Sequence, residues 1–112
     1  MLKIKQMKLD ESENEVKKQI NEFLEKAGYT LFRLNNAPVG FKRFHGKKGL
    51  SDTIAFKPGE YALLIEGKGS GKKPSKEQSE FLALANKSKG LVGLWADSFD
   101  MFMKIYNTLK GM

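Results

Sequence analysis

Three residues in the middle of the chain have side chains that could bind a metal ion and activate water: Asp52, Glu66 and Lys68. Two carboxylates offer the hard oxygen ligands that Mg²⁺ prefers, and a nearby backbone carbonyl, such as that of Gly67, could add another. Lys68 could polarise an attacking water or stabilise charge that develops on a phosphate. Taken alone the pattern is weak, because the same residue types also occur as solvated side chains on the edge of a hairpin.

The local sequence predicts that this group lies on a β-hairpin. Asp52 to Phe56 and Tyr61 to Glu66 are short strand-like runs, and the Pro-Gly pair between them suits the central positions of a type II turn. In the second strand, Glu66 and Lys68 are two residues apart, so their side chains are expected to share one face. The hairpin would therefore present a carboxylate and an ammonium side by side.

The register of the hairpin decides whether the two carboxylates meet. If Phe56 pairs with Tyr61, then Ile65 lies opposite Asp52, and Asp52 and Glu66 point to opposite faces of the sheet. A bulge, or a loop one residue different in length, would bring both carboxylates to one face. We expect such an irregularity here.

The remaining elements follow from helix caps and from the spacing of apolar residues. Ser12 and Ser75 each begin a Ser-x-x-Glu/Gln capping box that opens a helix, and a third helical pattern ends the chain. Tyr29 to Leu34 and Leu91 to Ala96 read as strands. The order αβββαβα predicts a mixed central sheet flanked by helices. The apolar stripe of the C-terminal helix could be core, but we expect it to form a subunit interface.

Glu15 and Gln78 are the last members of the two capping boxes. In this pattern either side chain can reach back to the backbone amide of its own cap. The loop Gly67 to Pro74 is rich in glycine and lysine, and it is expected to be flexible, either solvated or following a DNA backbone.

Composition limits the classes of function. A chain of 112 residues fits a single domain, 1–112, and the absence of cysteine excludes disulfides and thiolate chemistry. The segment before the first helix lacks the continuous apolar block of a secretion signal, and no apolar run is long enough to span a membrane, so we expect a cytoplasmic, soluble protein. The net charge of +7 favours a nucleic-acid partner.

Eight basic residues flank the proposed centre in sequence and are candidates for DNA binding. They are Arg33, Lys42, Arg43, Lys47, Lys48, Lys72, Lys73 and Lys76.

Together these motifs resemble the VRR-NUC nucleases of the PD-(D/E)xK superfamily, with its restriction-endonuclease-like αβββαβ core. The resemblance covers most of the chain and includes five short motifs in the expected order. They are Glu15 with its following apolar residues, Arg33-Leu34-Asn35, Gly49-Leu50-Ser51-Asp52, Glu66-Gly67-Lys68 and Ser75-Lys76-Glu77-Gln78. There are two departures: Gly67 stands where the family usually has Val, and Lys17 where Gln is common.

The resemblance implies that Asp52, Glu66 and the Gly67 carbonyl bind Mg²⁺ or Mn²⁺, that Lys68 assists the attacking water, and that Glu15 and Gln78 complete the site, Glu15 as a further metal ligand. It also implies an endodeoxyribonuclease selective for branched DNA, of the stand-alone phage or bacterial type. A Holliday-junction resolvase that cuts symmetrically would act as a homodimer. The alternatives are a restriction- or repair-type nuclease acting on flap or duplex DNA, and a non-catalytic basic DNA-binding module.

Overall fold

The computed structural model describes residues 11–34 and 52–111. These residues form a four-stranded mixed sheet flanked by three helices, which confirms the predicted fold class. The elements are α1 (Glu13–Lys26), β1 (Thr30–Arg33), β2 (Thr53–Phe56), β3 (Ala62–Gly67), α2 (Lys76–Asn86), β4 (Leu91–Ala96) and α3 (Phe99–Lys110).

Helix α1 begins and ends where the sequence predicts. The Ser12 side chain accepts a hydrogen bond from the Glu15 amide, which satisfies one of the free N–H groups of the first turn. Apolar residues at helical spacing, Val16, Ile20 and Leu24, are all buried. The helix therefore lies against the sheet along one face, and its remaining faces carry the charged residues.

The sheet has the order β1-β2-β3-β4. The first two pairs are antiparallel and the last, β3 with β4, is parallel. A parallel pair needs a crossover connection, and α2 provides it. Gly93 in β4 allows α2 to pack closely, because a Cβ at this position would lie 2.8 Å from the Leu82 carbonyl oxygen. The carboxyl ends of β3 and β4 therefore meet at one edge of the sheet, beside the N-terminus of α2.

The register of the β2–β3 hairpin differs by one residue from the predicted pairing. Thr53 pairs with Ile65, so continuing the ladder by one step sets Asp52 opposite Glu66. Residues paired across an antiparallel ladder share a face. The register differs because the loop, 57–61, has one residue more than the predicted loop. It still contains the predicted type II turn, in which the Glu60 amide donates a hydrogen bond of 3.0 Å to the Lys57 carbonyl and Gly59 has a positive φ. The expected irregularity is therefore present as an additional loop residue.

Helix α3 packs into the main core, which corrects the expectation that its apolar stripe forms a subunit interface. Phe102 is fully buried and Tyr106 is nearly so. The Phe23 ring of α1 meets both of them edge-on, with centroids 6.0 Å and 5.1 Å away. The apolar stripe of α3 packs against α1 and the sheet, because α1 and α3 cover the same face of the sheet. Among the described helices, none is long and apolar enough to cross a membrane.

Candidate active site

Glu66 is a buried carboxylate at the end of β3, with only 2% of its surface exposed. Its Oε2 accepts a hydrogen bond of 2.8 Å from the Gln78 amide nitrogen, whereas its buried Oε1 has no hydrogen-bond partner among the described residues. Burial, with a smaller contribution from the nearby Asp52 charge, raises the pKa of Glu66 to about 7, and the charges of Lys68 and Lys17 partly oppose this shift. The charge of an ionised Glu66 is therefore only partly compensated, by Gln78 and by Lys68 on the side of Oε2 and by no hydrogen bond from the described residues to Oε1.

Asp52 lies just before β2 and turns its carboxylate towards the edge of β3. Its Oδ2 accepts a hydrogen bond of 2.9 Å from the Gly67 amide, and its backbone carbonyl accepts one of 2.9 Å from Leu34, which continues the β1–β2 ladder. In an extended strand, the N–H and C=O of one residue point to the same side, so the Gly67 carbonyl also faces the Asp52 side of β3. The structure therefore brings together the carboxylates of Asp52 and Glu66 and this carbonyl.

Lys68 follows β3 directly and extends the parallel ladder, because its amide donates to the Ala96 carbonyl over 2.9 Å. Its ammonium nitrogen lies 4.0 Å from Glu66 Oε2 and 4.0 Å from Glu13 Oε1. The side chain is 17% exposed. A partly buried cation is thus held at the carboxylate pair, where it could stabilise negative charge.

Helix α1 contributes two charged residues that the sequence patterns did not identify as site residues. Lys17 places its ammonium 2.8 Å from Glu13 Oε2 and 3.3 Å from Asp52 Oδ1. Hydrogen bonding to Lys17 lowers the pKa of Glu13, although partial burial opposes this shift. The signal available in the sequence was the i,i+4 spacing of Glu13 and Lys17 on the face next to Val16, whereas the family resemblance pointed to Glu15.

Glu15 lies outside this cluster, contrary to its assignment as a metal ligand. Its carboxylate is exposed and accepts a hydrogen bond of 3.2 Å from the Ser12 hydroxyl. Positions 13 and 15 are about 200° apart around a helix, so only one of them can face the sheet. Glu13 has that orientation, because it is in line with Lys17. The acidic residue that α1 brings to the centre is therefore Glu13.

Gln78 combines both of the roles considered for it. Its Oε1 accepts a hydrogen bond of 2.8 Å from the Ser75 amide, and the Gln78 amide nitrogen of the backbone donates to the Ser75 hydroxyl, so the capping box is complete. The side-chain Nε2 is thereby directed at Glu66. The cap and the contact to the site use opposite ends of one amide group.

The first half of the loop after β3, which the sequence predicts to be flexible, is hydrogen-bonded to the residues before α1 and to Asp97. Ser70 and Glu11 exchange hydrogen bonds, with Ser70 Oγ accepting over 2.7 Å and the Ser70 amide donating over 2.9 Å. Gly69 approaches so closely that a Cβ would lie 3.2 Å from the Glu13 amide nitrogen. The Gly71 amide donates to Asp97. These contacts fix the loop to the start of α1, which helps to position Lys68.

Four of the eight DNA-binding candidates lie within the described residues, and all four are exposed. Lys72 and Lys73 follow the held part of the loop, Lys76 begins α2, and Arg33 ends β1 beside the residue that bonds to the Asp52 backbone. The other four fall outside the described residues. They are Lys42, Arg43, Lys47 and Lys48.

The residues present fit a hard divalent cation only with help from water or phosphate. Within 11–34 and 52–111, no group of three or more His, Cys, Asp or Glu side chains is arranged to hold a metal by itself. Asp52, Glu66 and the Gly67 carbonyl are oxygen donors, and the unpartnered Oε1 of Glu66 is the kind of atom that a cation would satisfy. Mg²⁺ commonly binds through one or two carboxylates and keeps several waters. This donor set matches that mode of binding.

Comparison with known proteins adds no assignment: no family model, curated protein or solved structure matches the chain. Any functional conclusion therefore depends on the geometry and charge of the site.

Proposed function

We propose that this chain is a metal-dependent endodeoxyribonuclease of the PD-(D/E)xK type, similar to VRR-NUC domains. The observation that carries the proposal is a group of two carboxylates and a lysine at the end of β3: Asp52 accepts a hydrogen bond from the Gly67 amide next to Glu66, and Lys68 lies 4.0 Å from Glu66. The carboxylate pair alone does not indicate which class of substrate the site would bind. Its position beside a partly buried lysine and near exposed basic residues favours a phosphodiester as the substrate.

In the proposed reaction, Asp52, Glu66 and the Gly67 carbonyl would hold Mg²⁺ or Mn²⁺, and the metal would supply an activated water and neutralise phosphate charge. Lys68 orients the attacking water or stabilises the charge that develops on the phosphate. Gln78 fixes the orientation of Glu66 by its hydrogen bond. Arg33, the loop lysines and Lys76 bind the DNA backbone, a contact that weakens steeply with salt.

We further propose branched DNA as the substrate and a homodimer as the active form, because symmetric cleavage of a four-way junction requires two active sites. Both features rest on the family resemblance. The dimer interface would have to be formed by a surface other than the apolar stripe of α3, which is buried within the chain.

The decisive experiment is a cleavage assay on four-way junction, flap and duplex substrates, each with Mg²⁺, with Mn²⁺ and with a chelator. We expect metal-dependent cleavage that is fastest on the junction. Asp52→Asn and Lys68→Ala should each lose at least about 100-fold in cleavage rate while DNA binding persists. Exposed residues supply matched controls, Glu22→Gln for the carboxylate and Lys104→Ala for the lysine, and these should cut at the wild-type rate.

The rival proposals give different results in the same assay. A repair- or restriction-type nuclease would prefer the flap or the duplex. A non-catalytic DNA-binding module would bind all three substrates, cut none of them with Mn²⁺, and retain its binding in the Asp52→Asn variant. Absence of cleavage on every substrate would refute the nuclease proposal.

A further inference from the structure

Lys17 occupies a position that brings a second ammonium group to the carboxylate centre. Its nitrogen lies 3.3 Å from Asp52 Oδ1 and 2.8 Å from Glu13 Oε2, and its side chain is 30% exposed. A surface lysine at this spacing would usually pair only with its helical neighbour. Here the side chain also crosses from α1 to the sheet and contacts a residue of the proposed metal site.

Lys17 is charged at neutral pH. Burial by itself would lower its pKa, but the hydrogen bond to Glu13 and the charge of Asp52 outweigh burial, so the pKa of Lys17 is raised. Asp52 therefore faces a full positive charge in the metal-free protein.

Gly67 makes room for this arrangement. A Cβ on residue 67 would lie 2.7 Å from Lys17 Cγ, closer than side chains pack, so a larger residue would displace the Lys17 stem. The absence of a side chain at Gly67 and the position of the Lys17 stem are therefore sterically linked. The missing side chain in β3 is the space through which Lys17 reaches Asp52.

The charges of the centre leave little attraction for a further cation. Glu13, Asp52 and Glu66 contribute three carboxylates, and Lys17 and Lys68 already compensate two of them. A divalent cation bound at Asp52 would also lie close to the Lys17 ammonium, and like charges at such separations repel each other.

We propose that Lys17 is a positioning residue that acts as an internal counter-ion of Asp52 and must leave this carboxylate before a divalent cation binds, so that it lowers the metal affinity of the site. This inference rests on the proposed metal site. The Lys17 ammonium and the divalent cation compete for Asp52, and this competition sets the affinity of the site for the metal.

The test is a titration of the DNA-free protein with Mn²⁺, following free Mn²⁺ by electron paramagnetic resonance. Lys17→Gln should bind Mn²⁺ about fivefold more tightly or better, and Lys17→Met should do the same if the charge is the cause. Lys17→Arg should keep the weak affinity of the wild type. The neighbouring exposed residue supplies a control with the same change in net charge, Lys18→Gln, which should leave the affinity unchanged.

Circular dichroism of each variant confirms that it is folded. The inference is overturned if Lys17→Gln and Lys17→Met bind Mn²⁺ no more tightly than the wild type, if neither binds Mn²⁺ at all, or if Lys18→Gln shows the same gain. Failure of the nuclease proposal looks different. Tighter Mn²⁺ binding in the Lys17 variants, together with no cleavage of any DNA substrate, would refute the nuclease and leave the counter-ion role standing.

Discussion

Gln78 donates a hydrogen bond to Glu66 over 2.8 Å while the other end of the same amide accepts one from the Ser75 backbone. The capping box therefore fixes which atom of Gln78 faces the site, because Oε1 is already committed to the cap. A residue that starts a helix also presents an N–H donor to the buried carboxylate. This is the kind of supporting hydrogen bond that orients a metal ligand.

Replacing Gln78 by Glu should separate these two functions. Glu is as good a partner for the Ser75 cap as Gln, but it cannot donate to Glu66 when ionised and would place a second negative charge beside it. We expect the free energy of unfolding of Gln78→Glu in chelator at pH 8 to fall by about 1–3 kcal/mol, measured by urea denaturation. Gln19→Glu, at an exposed position of α1, is the matched control and should change it by less than about 0.5 kcal/mol. Equal effects of both substitutions would contradict the Glu66 contact.

The raised pKa of Glu66 predicts an unusual dependence of stability on pH. Because the pKa is about 7 in the folded protein and near 4.5 when unfolded, the folded state binds more protons between these values. The stabilisation is therefore complete below about pH 4.5 and is lost as pH rises through 7, by up to about 3 kcal/mol. Glu13, whose pKa is lowered, contributes in the opposite direction and at more acidic pH.

The contribution of Glu66 is isolated by comparing wild-type protein with Glu66→Gln in chelator. Urea denaturation from pH 5 to pH 8 should show the wild type losing stability relative to the variant as pH rises. Parallel profiles for the two proteins over this range would show that Glu66 titrates normally.

Local patterns in the sequence were sufficient for the fold. The cap at Ser12, the Pro-Gly turn and the apolar run of β4 each specify their own element, and the crossover before β4 requires a helix. The regular register had to be adjusted by a bulge or a changed loop length, and the turn does not choose between these, because a five-residue loop and a four-residue loop can contain the same type II turn. Only the packing of Leu63 and Ile65 against α1 decides between them, and that is a long-range interaction.

The site was predicted in part. Asp52, Glu66, Lys68 and Gln78 do come together, because they are close in sequence to the ends of paired elements. The assignment of Glu15 failed, because the rotation of α1 about its axis depends on which residues meet the sheet. The family resemblance assigned Glu15 to the site, and the capping motif gives the start of the helix without fixing that rotation.

Lys17 and Gly67 should show strong energetic coupling. Gly67→Ala inserts a methyl group 2.7 Å from Lys17 Cγ and should reduce the free energy of unfolding by about 1–3 kcal/mol. In a Lys17→Ala background the nearest atoms of residue 17 are its backbone nitrogen and Cα, both 3.7 Å away, so the same change should be tolerated.

Urea denaturation of the two single variants and the double variant gives the coupling free energy, which we expect to be about 1 kcal/mol or more. Gly111→Ala supplies a control, because a Cβ there meets its nearest neighbour at an ordinary 3.5 Å. Additive effects of Gly67→Ala and Lys17→Ala would mean that Lys17 does not depend on the space at Gly67.

Glu13 and Glu15 provide a direct comparison between the acidic residue at the centre and the one at the cap. Glu13→Gln removes the charge that lies 4.0 Å from Lys68, so this lysine loses a partner that holds it beside Glu66. It also removes the carboxylate 2.8 Å from Lys17 that competes with Asp52 for this ammonium. If the chain is a nuclease, single-turnover cleavage by Glu13→Gln should fall about tenfold or more.

Glu15→Gln is the matched change two residues away on the exposed side of α1, and we expect its cleavage rate to stay within about twofold of the wild type. The two variants carry the same net charge on the same helix turn, so a general electrostatic effect on DNA binding would slow both equally. A loss confined to Glu15→Gln would instead restore Glu15 as the site residue and require α1 to rotate when DNA or metal binds. A loss confined to Glu13→Gln requires no such rotation, because Glu13 already lies 2.8 Å from Lys17 on the same helix and 4.0 Å from Lys68 at the end of β3.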